Sequence, residues 1–157
     1  MSKTTRATQA LHKAGAAFDV LTYDYQSGAE RIGLQAAAAI GEPPSRVLKT
    51  LMVLVDGKPA CCVVPSDGEL SMKRVAAAFG GKAAAMMPPA EAEKATGYHV
   101  GGISPFGAKK RLPVAIEAAA LDEPYVIINA GQRGVMVRLS PAEAVRVLEA
   151  VTVPLLA

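Results

Sequence analysis

Lys49 is the residue whose type and setting most invite chemistry. It lies within Val47-Leu48-Lys49-Thr50-Leu51-Met52-Val53, where every neighbour except Thr50 is apolar. An unbroken aliphatic run of this kind predicts a strand, and alternation puts Lys49 on the face of Val47, Leu51 and Val53. An ammonium in that company must reach water, an acid or a ligand, because burying it unpaired is costly. Two readings stay open. The lysine snorkels to solvent from near a strand end, or it stands at a pocket mouth and grips a phosphate or a carbonyl oxygen.

Gly101-Gly102-Ile103-Ser104-Pro105-Phe106-Gly107 is the second feature. Such a stretch can adopt backbone angles that other residues avoid, and can approach a ligand closely. Its N–H groups suit an oxyanion, which ester hydrolysis requires, although an ordinary connecting loop has the same composition. Gly131-Gln132-Arg133-Gly134 is the third, a turn whose arginine either holds a phosphate or is simply solvated. Lys109-Lys110-Arg111, just downstream of the glycine loop, is a basic cluster that reads as a solvated face or a phosphate track.

Other chemistries find no support. The chain has two histidines, His12 and His99, and no His, Cys or carboxylate spacing that suggests zinc. No Gly-x-Ser-x-Gly elbow is present, so a serine-hydrolase triad is unsupported. Aromatic residues make up 4% of the chain, too few for a base-stacking platform. The balance of 17 basic against 14 acidic residues gives +3, which permits contact with a polyanion without demanding one. A hydrolase built from these residues has no conventional side-chain nucleophile.

The elements that must position these residues can be read in outline. Thr4 to Ala14 predicts a helix stopped by Gly15, and Phe18 to Tyr23 a strand. A turn around Ser27-Gly28 leads to a helix over Gly33 to Ile40, ended by Gly41. Arg46 to Val55 and Pro59 to Val64 read as strands joined by an Asp56-Gly57 hairpin. Ser71 caps a helix through Phe79, and Pro88-Pro89 open another that stops near Gly97. Tyr125 to Ile128 and Val135 to Leu139 are strands. Ser140-Pro141-Ala142-Glu143 reads as a capping box that starts a helix reaching about Val151. The irregular mixture predicts an α/β (α+β) fold, with a mixed, partly antiparallel sheet curled toward a barrel and surrounded by helices.

At 157 residues the chain reads as one domain, 1–157, with enough length for a real core. Cys61 and Cys62 are adjacent, so on a strand they point to opposite faces and read as buried small hydrophobes in a reducing compartment. Met1 to Arg6 is polar and has no apolar signal core, and no stretch is long enough to cross a bilayer. These features predict a cytoplasmic location.

Taken in order, Thr22-Tyr23-Asp24, Val47-Leu48-Lys49-Thr50-Leu51, Thr96-Gly97-Tyr98-His99-Val100-Gly101 through Gly107, Lys109-Lys110-Arg111 and Gly131-Gln132-Arg133-Gly134 resemble the YbaK-type deacylases. These belong to the YbaK/ProX superfamily of editing domains related to the insertion domain of prolyl-tRNA synthetase. The resemblance spans nearly the whole chain. It implies a barrel-like α/β domain that hydrolyses mischarged aminoacyl-tRNA, foremost Cys-tRNA(Pro), with no metal or cofactor. Ala-tRNA(Pro) deacylation, or non-catalytic binding of aminoacyl-tRNA or a synthetase, are the alternatives.

By the same resemblance Lys49, Gly101 and Gly102 are the catalytic set. Lys49 lies over the tRNA 3′ end and the aminoacyl ester, while the glycines surround the substrate carbonyl. Tyr23, Thr50, Ile103, Ser104, Pro105, Phe106, Asn129, Gly131 and Arg133 form the substrate site. The thiol of the cysteinyl group would attack its own ester, which fits the absence of a protein nucleophile. Asn129 departs from the serine that many relatives carry before the Gly-x-Arg-Gly turn, so amino-acid selectivity can differ here. The implied partners are the acceptor end of tRNA(Pro) and, transiently, prolyl-tRNA synthetase, with neither membrane nor DNA.

Overall fold

A computed structural model describes residues 4–25 and 32–157. The turn read around Ser27-Gly28 lies outside the described residues. The elements are α1 (Arg6–Lys13), β1 (Asp19–Thr22), α2 (Ile32–Ile40), β2 (Val47–Val55), β3 (Lys58–Pro65), α3 (Met72–Ala78), β4 (Ala84–Met86), α4 (Pro89–Thr96), β5 (Val114–Glu117), a 3-10 turn (Ala118–Asp122), β6 (Val126–Gln132), β7 (Val135–Leu139), α5 (Pro141–Leu148) and β8 (Val151–Val153).

Local chemistry accounts for most boundaries. Thr5 caps α1, its hydroxyl accepting the Thr8 N–H while the Thr8 hydroxyl accepts the Thr5 N–H. Asp56 and Gly57 take φ of 50° and 82°, the left-handed pair that a two-residue hairpin between β2 and β3 requires. Pro88 and Pro89 start α4, and Gly97 ends it in a left-handed conformation.

Three strands were not legible: β4, β5 and β8 are three or four residues long, too short to show alternation. The helix expected to run to about Val151 stops at Leu148, because Glu149 adopts a left-handed cap. Val151–Val153 is thereby released to pair with β5. The Ser140 capping box is half formed. Its hydroxyl accepts the Glu143 N–H, but the Glu143 carboxylate turns outward to Arg146 at 2.7 Å.

All eight strands join one mixed sheet in the order β1-β7-β6-β2-β3-β5-β8, with β4 added to β2. The pairs β2–β6, β3–β5 and β5–β8 are parallel, and the others antiparallel. Helices cover both faces. On one, Leu11 of α1, Ala92 of α4 and Ala144 of α5 share a cluster with Leu48, Met52 and Cys61. On the other, α2 packs Ala36 and Ala37 near Val47 and Ile127, and α3 packs Val75 near Val53 and Cys62. Strand β2 is therefore buried on both sides, which is why it reads as a continuous apolar run. The two cysteines fall on opposite faces.

Two features of β2 make room for a site. On the α2/α3 face, two separate clusters meet the strand at Val47 and at Val53. Lys49 falls in the seam between them, half-buried. Along one edge, Val47 and Leu48 pair with β6, and Val53–Val55 pair with β4. Between those two partners the edge of β2 opens at residues 49–51, the Met52 C=O already accepting the Met87 N–H at 3.0 Å.

Candidate functional site

The opening along β2 is a cavity of about 440 Å³. Lys49 and Thr50 of β2, Tyr23 after β1, Asn129 of β6, and Gly101 and Ile103 of the glycine loop all line it, with Leu48, Met52, Met86 and Met87 among its apolar walls. Register explains why residues 80 positions apart meet. Val47 is paired with Ile127 in the parallel ladder, so Lys49 and Asn129, two residues further along each strand, share a face. Asn129 is paired with Met136 of β7, and the bulge between Asn129 and Gln132 then carries β6 away from β2.

Three polar atoms of this cavity are buried and lack a hydrogen-bond partner among the described residues: Tyr23 Oη, Thr50 Oγ1 and Asn129 Oδ1. Burial, reinforced by neighbouring Tyr25, raises the Tyr23 phenol above its ordinary value, and the Gly134 backbone only partly offsets this. At neutral pH the phenol is therefore a proton-bearing donor. Unpaired polar atoms inside a protein are costly, and their convergence on one cavity marks a place prepared for a polar ligand.

The glycine loop is held from both sides at Val100. Its N–H donates to the Glu93 carboxylate of α4 at 2.8 Å, and its C=O accepts from Arg133 Nε at 2.8 Å. The Val100 N–H, the contact with His99 and the charge of Arg133 hold the Glu93 carboxyl below its usual range, winning over partial desolvation. The Arg133 guanidinium also lies 5.2 Å over the Tyr25 ring. Arg133 thus braces the loop through its Nε, a role its place in the sequence did not suggest.

Clamped in this way, Gly101 turns into the cavity at φ +95°, where a β-carbon would meet Tyr25 Oη at 2.9 Å. The Gly102 N–H, expected beside the substrate carbonyl, instead donates to the His99 C=O at 2.9 Å. A β-carbon on Gly102 would strike the Gln132–Arg133 backbone, so this glycine serves close packing of the loop on the β6–β7 turn.

Tyr98 is the pillar under the loop and was not singled out from sequence. Its hydroxyl donates to the Phe106 C=O at 2.7 Å, bridging the loop end to end, and its ring packs on Gly131. The Arg6 guanidinium lies over the same ring, 4.9 Å from its centroid. Its buried position and the Gly131 opposite it are visible only when the two segments meet.

The structure divides the rest of the expected substrate set. Ser104, Pro105 and Phe106 line a second cavity together with Lys110 and Arg111, not the one that holds Lys49. Ser104 Oγ accepts the Phe106 N–H, so both residues shape the turn. The loop passes from one cavity to the other after Ile103, and Met52 borders both. Among the described residues no group of three His, Cys, Asp or Glu side chains could hold a metal ion. No helix among them is long and apolar enough to cross a membrane.

Comparison with known proteins agrees with this geometry. Residues 30–147 match the model of the aminoacyl-tRNA editing domain family. A candidate Cys-tRNA(Pro)/Cys-tRNA(Cys) deacylase of Enterococcus faecalis, EbsC, is 34% identical over 122 residues, covering 76% of this chain and 74% of that protein. A proline–tRNA ligase of Acidithiobacillus ferrooxidans is 28% identical over 118 residues, covering 71% of this chain but 21% of the ligase. The crystal structure of a candidate trans-editing enzyme for prolyl tRNA synthetase has a TM-score of 0.87, covering 100% of this chain and 98% of its own, at 22% identity. That last match is a likeness of fold. By the extent of its family match and its likeness to the E. faecalis protein, the chain belongs to the aminoacyl-tRNA editing domain family.

Proposed function

We propose that this protein deacylates mischarged tRNA in trans, with Cys-tRNA(Pro) as its foremost substrate. The observation that carries the reading is the single cavity that gathers Lys49, Gly101 and three buried, unpartnered polar atoms. Lys49 supplies the positive charge for the acceptor end of the tRNA, where phosphate and ester lie close together. Gly101 brings backbone to the carbonyl at a distance that a side chain would prevent. Tyr23, Thr50 and Asn129 hold the polar groups of the aminoacyl moiety.

For a cysteinyl ester the chemistry needs no protein nucleophile. The substrate sulfur attacks the carbonyl carbon, a C–S bond forms, and the C–O bond to the ribose breaks. The thiol proton ends on the departing ribose oxygen, and water later opens the thiolactone. Holding an already reactive ester in the right geometry can supply much of the acceleration. Prolyl-tRNA synthetase is the partner that would select the tRNA, since a net charge of +3 gives weak affinity for RNA unaided.

One observation favours a second reading. Two hydroxyls and an amide oxygen without partners are also a suitable cradle for a water molecule, which a deacylase of Ala-tRNA(Pro) requires.

The test is hydrolysis of Cys-tRNA(Pro), Ala-tRNA(Pro) and Pro-tRNA(Pro) by wild type and Lys49→Ala. Rapid loss of the cysteinyl ester that disappears in Lys49→Ala supports the reading. Activity on alanine alone transfers it to the water-dependent reaction. No hydrolysis of any of the three refutes deacylation, as full activity of Lys49→Ala refutes the role of the lysine.

A further inference from the structure

The second cavity, of about 340 Å³, has a different chemistry. Cys61 and Val114 of the sheet, Ala10 of α1 with Ala14 at its C-terminal cap, and Val147 and Leu148 of α5 make its interior aliphatic. Its polar side chains are already committed: Thr96 Oγ1 donates to the Ala92 C=O, and Ser104 Oγ accepts the Phe106 N–H. Nothing inside therefore calls for a polar ligand group. The mouth is basic instead, formed by Lys13, Lys110 and Arg111. Arg111 is paired with Glu149 at 2.8 Å, whereas Lys13 and Lys110 are exposed and have no ion pair among the described residues.

An aliphatic interior under two unpaired cations is complementary to an apolar tail with an anionic head. We infer that this cavity binds a medium-chain aliphatic carboxylate. A nucleotide fits less well, since Phe106 is the cavity's aromatic residue and only 1% of it is exposed, leaving no face for a base to stack on. The site is independent of the deacylase reading: neither Lys49 nor Tyr23, Thr50 or Asn129 lines it.

The test is titration of the intact protein with octanoate, hexanoate, butyrate and octylamine, followed by calorimetry and by amide chemical shifts. Octanoate is expected to bind saturably, with affinity falling about fourfold per methylene removed. Octylamine, with the same tail and the opposite charge, is expected not to bind. The double variant Lys13→Glu/Lys110→Glu changes exposed side chains only and should weaken octanoate by about tenfold or more. Ala14→Leu, which fills the cavity without altering charge, should abolish binding. Shift changes should centre on Ala10, Leu112 and Val147. The inference is overturned if octanoate does not saturate, if octylamine binds equally well, or if either variant binds like wild type. Shifts centred on Tyr23 and Lys49 would overturn it too.

Discussion

The same substitution at two tyrosines should change stability in opposite directions. Tyr98 Oη donates to the buried Phe106 C=O at 2.7 Å, whereas Tyr23 Oη is buried with no partner among the described residues. Tyr98→Phe keeps the ring on Gly131 and under Arg6 but leaves the Phe106 carbonyl unpaired, at a cost of about 1–3 kcal/mol. Tyr23→Phe loses at most a weak contact with the Gly134 backbone and removes a desolvated hydroxyl, so it should range from neutral to about 1 kcal/mol more stable. Urea unfolding followed by circular dichroism resolves differences of this size, provided the denaturant slope is unchanged between variants. In thermal melts the shift should be about 2–4 °C per kcal/mol for a chain of this length. Activity separates the two further. If Tyr23 holds the aminoacyl group, Tyr23→Phe should lose about ten- to a hundredfold in deacylation rate while remaining at least as stable as wild type. A Tyr23→Phe protein as destabilised as Tyr98→Phe would refute the reasoning, because the hydroxyl would then serve the fold and not a ligand.

Other consequences are simpler. Burial pushes the Glu117 carboxyl up, but N–H bonds from Ala119, Leu155 and Leu156, with the charge of Arg74, outweigh it and hold the group below the usual carboxylate range. A carboxylate depressed on folding stabilises the protein above its unfolded value of about 4.3, and that contribution is lost as pH falls through the folded value. Stability measured against pH should therefore drop more steeply on the acid side in wild type than in Glu117→Gln. Burial raises the Cys62 thiol to about 12 and Cys61 further still, so a thiol reagent at neutral pH should titrate neither until denaturant is added. Gly131→Ala forces a side chain onto φ +90° and within 2.6 Å of the Tyr98 ring, and should cost at least about 2 kcal/mol by chemical denaturation.

Much of the fold was readable because its signals are local. Gly15, Ser71, Gly41, Gly97 and the Asp56-Gly57 turn act on the backbone within a few residues, so their spacing alone places helix ends and the β2–β3 hairpin. The double burial of β2 appears as an apolar run, and a lysine inside that run is conspicuous without any knowledge of its surroundings. The short strands β4, β5 and β8 carry no such signal. Ala84-Ala85-Met86 has little intrinsic preference for a strand and becomes one because β2 offers it an edge.

Which residues share a cavity was settled by tertiary structure. Lys49 and Asn129 meet through a parallel register, and the bulge in β6 opens the edge between them. The contiguous run from Gly101 to Gly107 looked like one unit, yet it serves two cavities because the chain turns after Ile103. Arg133 and Glu93 became braces of Val100 only when a hairpin and a helix from distant parts of the chain converged. Residue types and spacings alone determined the family resemblance, the lysine and the glycine loop, since these are encoded position by position. Whether a given N–H faces a substrate or closes a turn depends on neighbours brought from elsewhere by folding, and only the tertiary structure decided it.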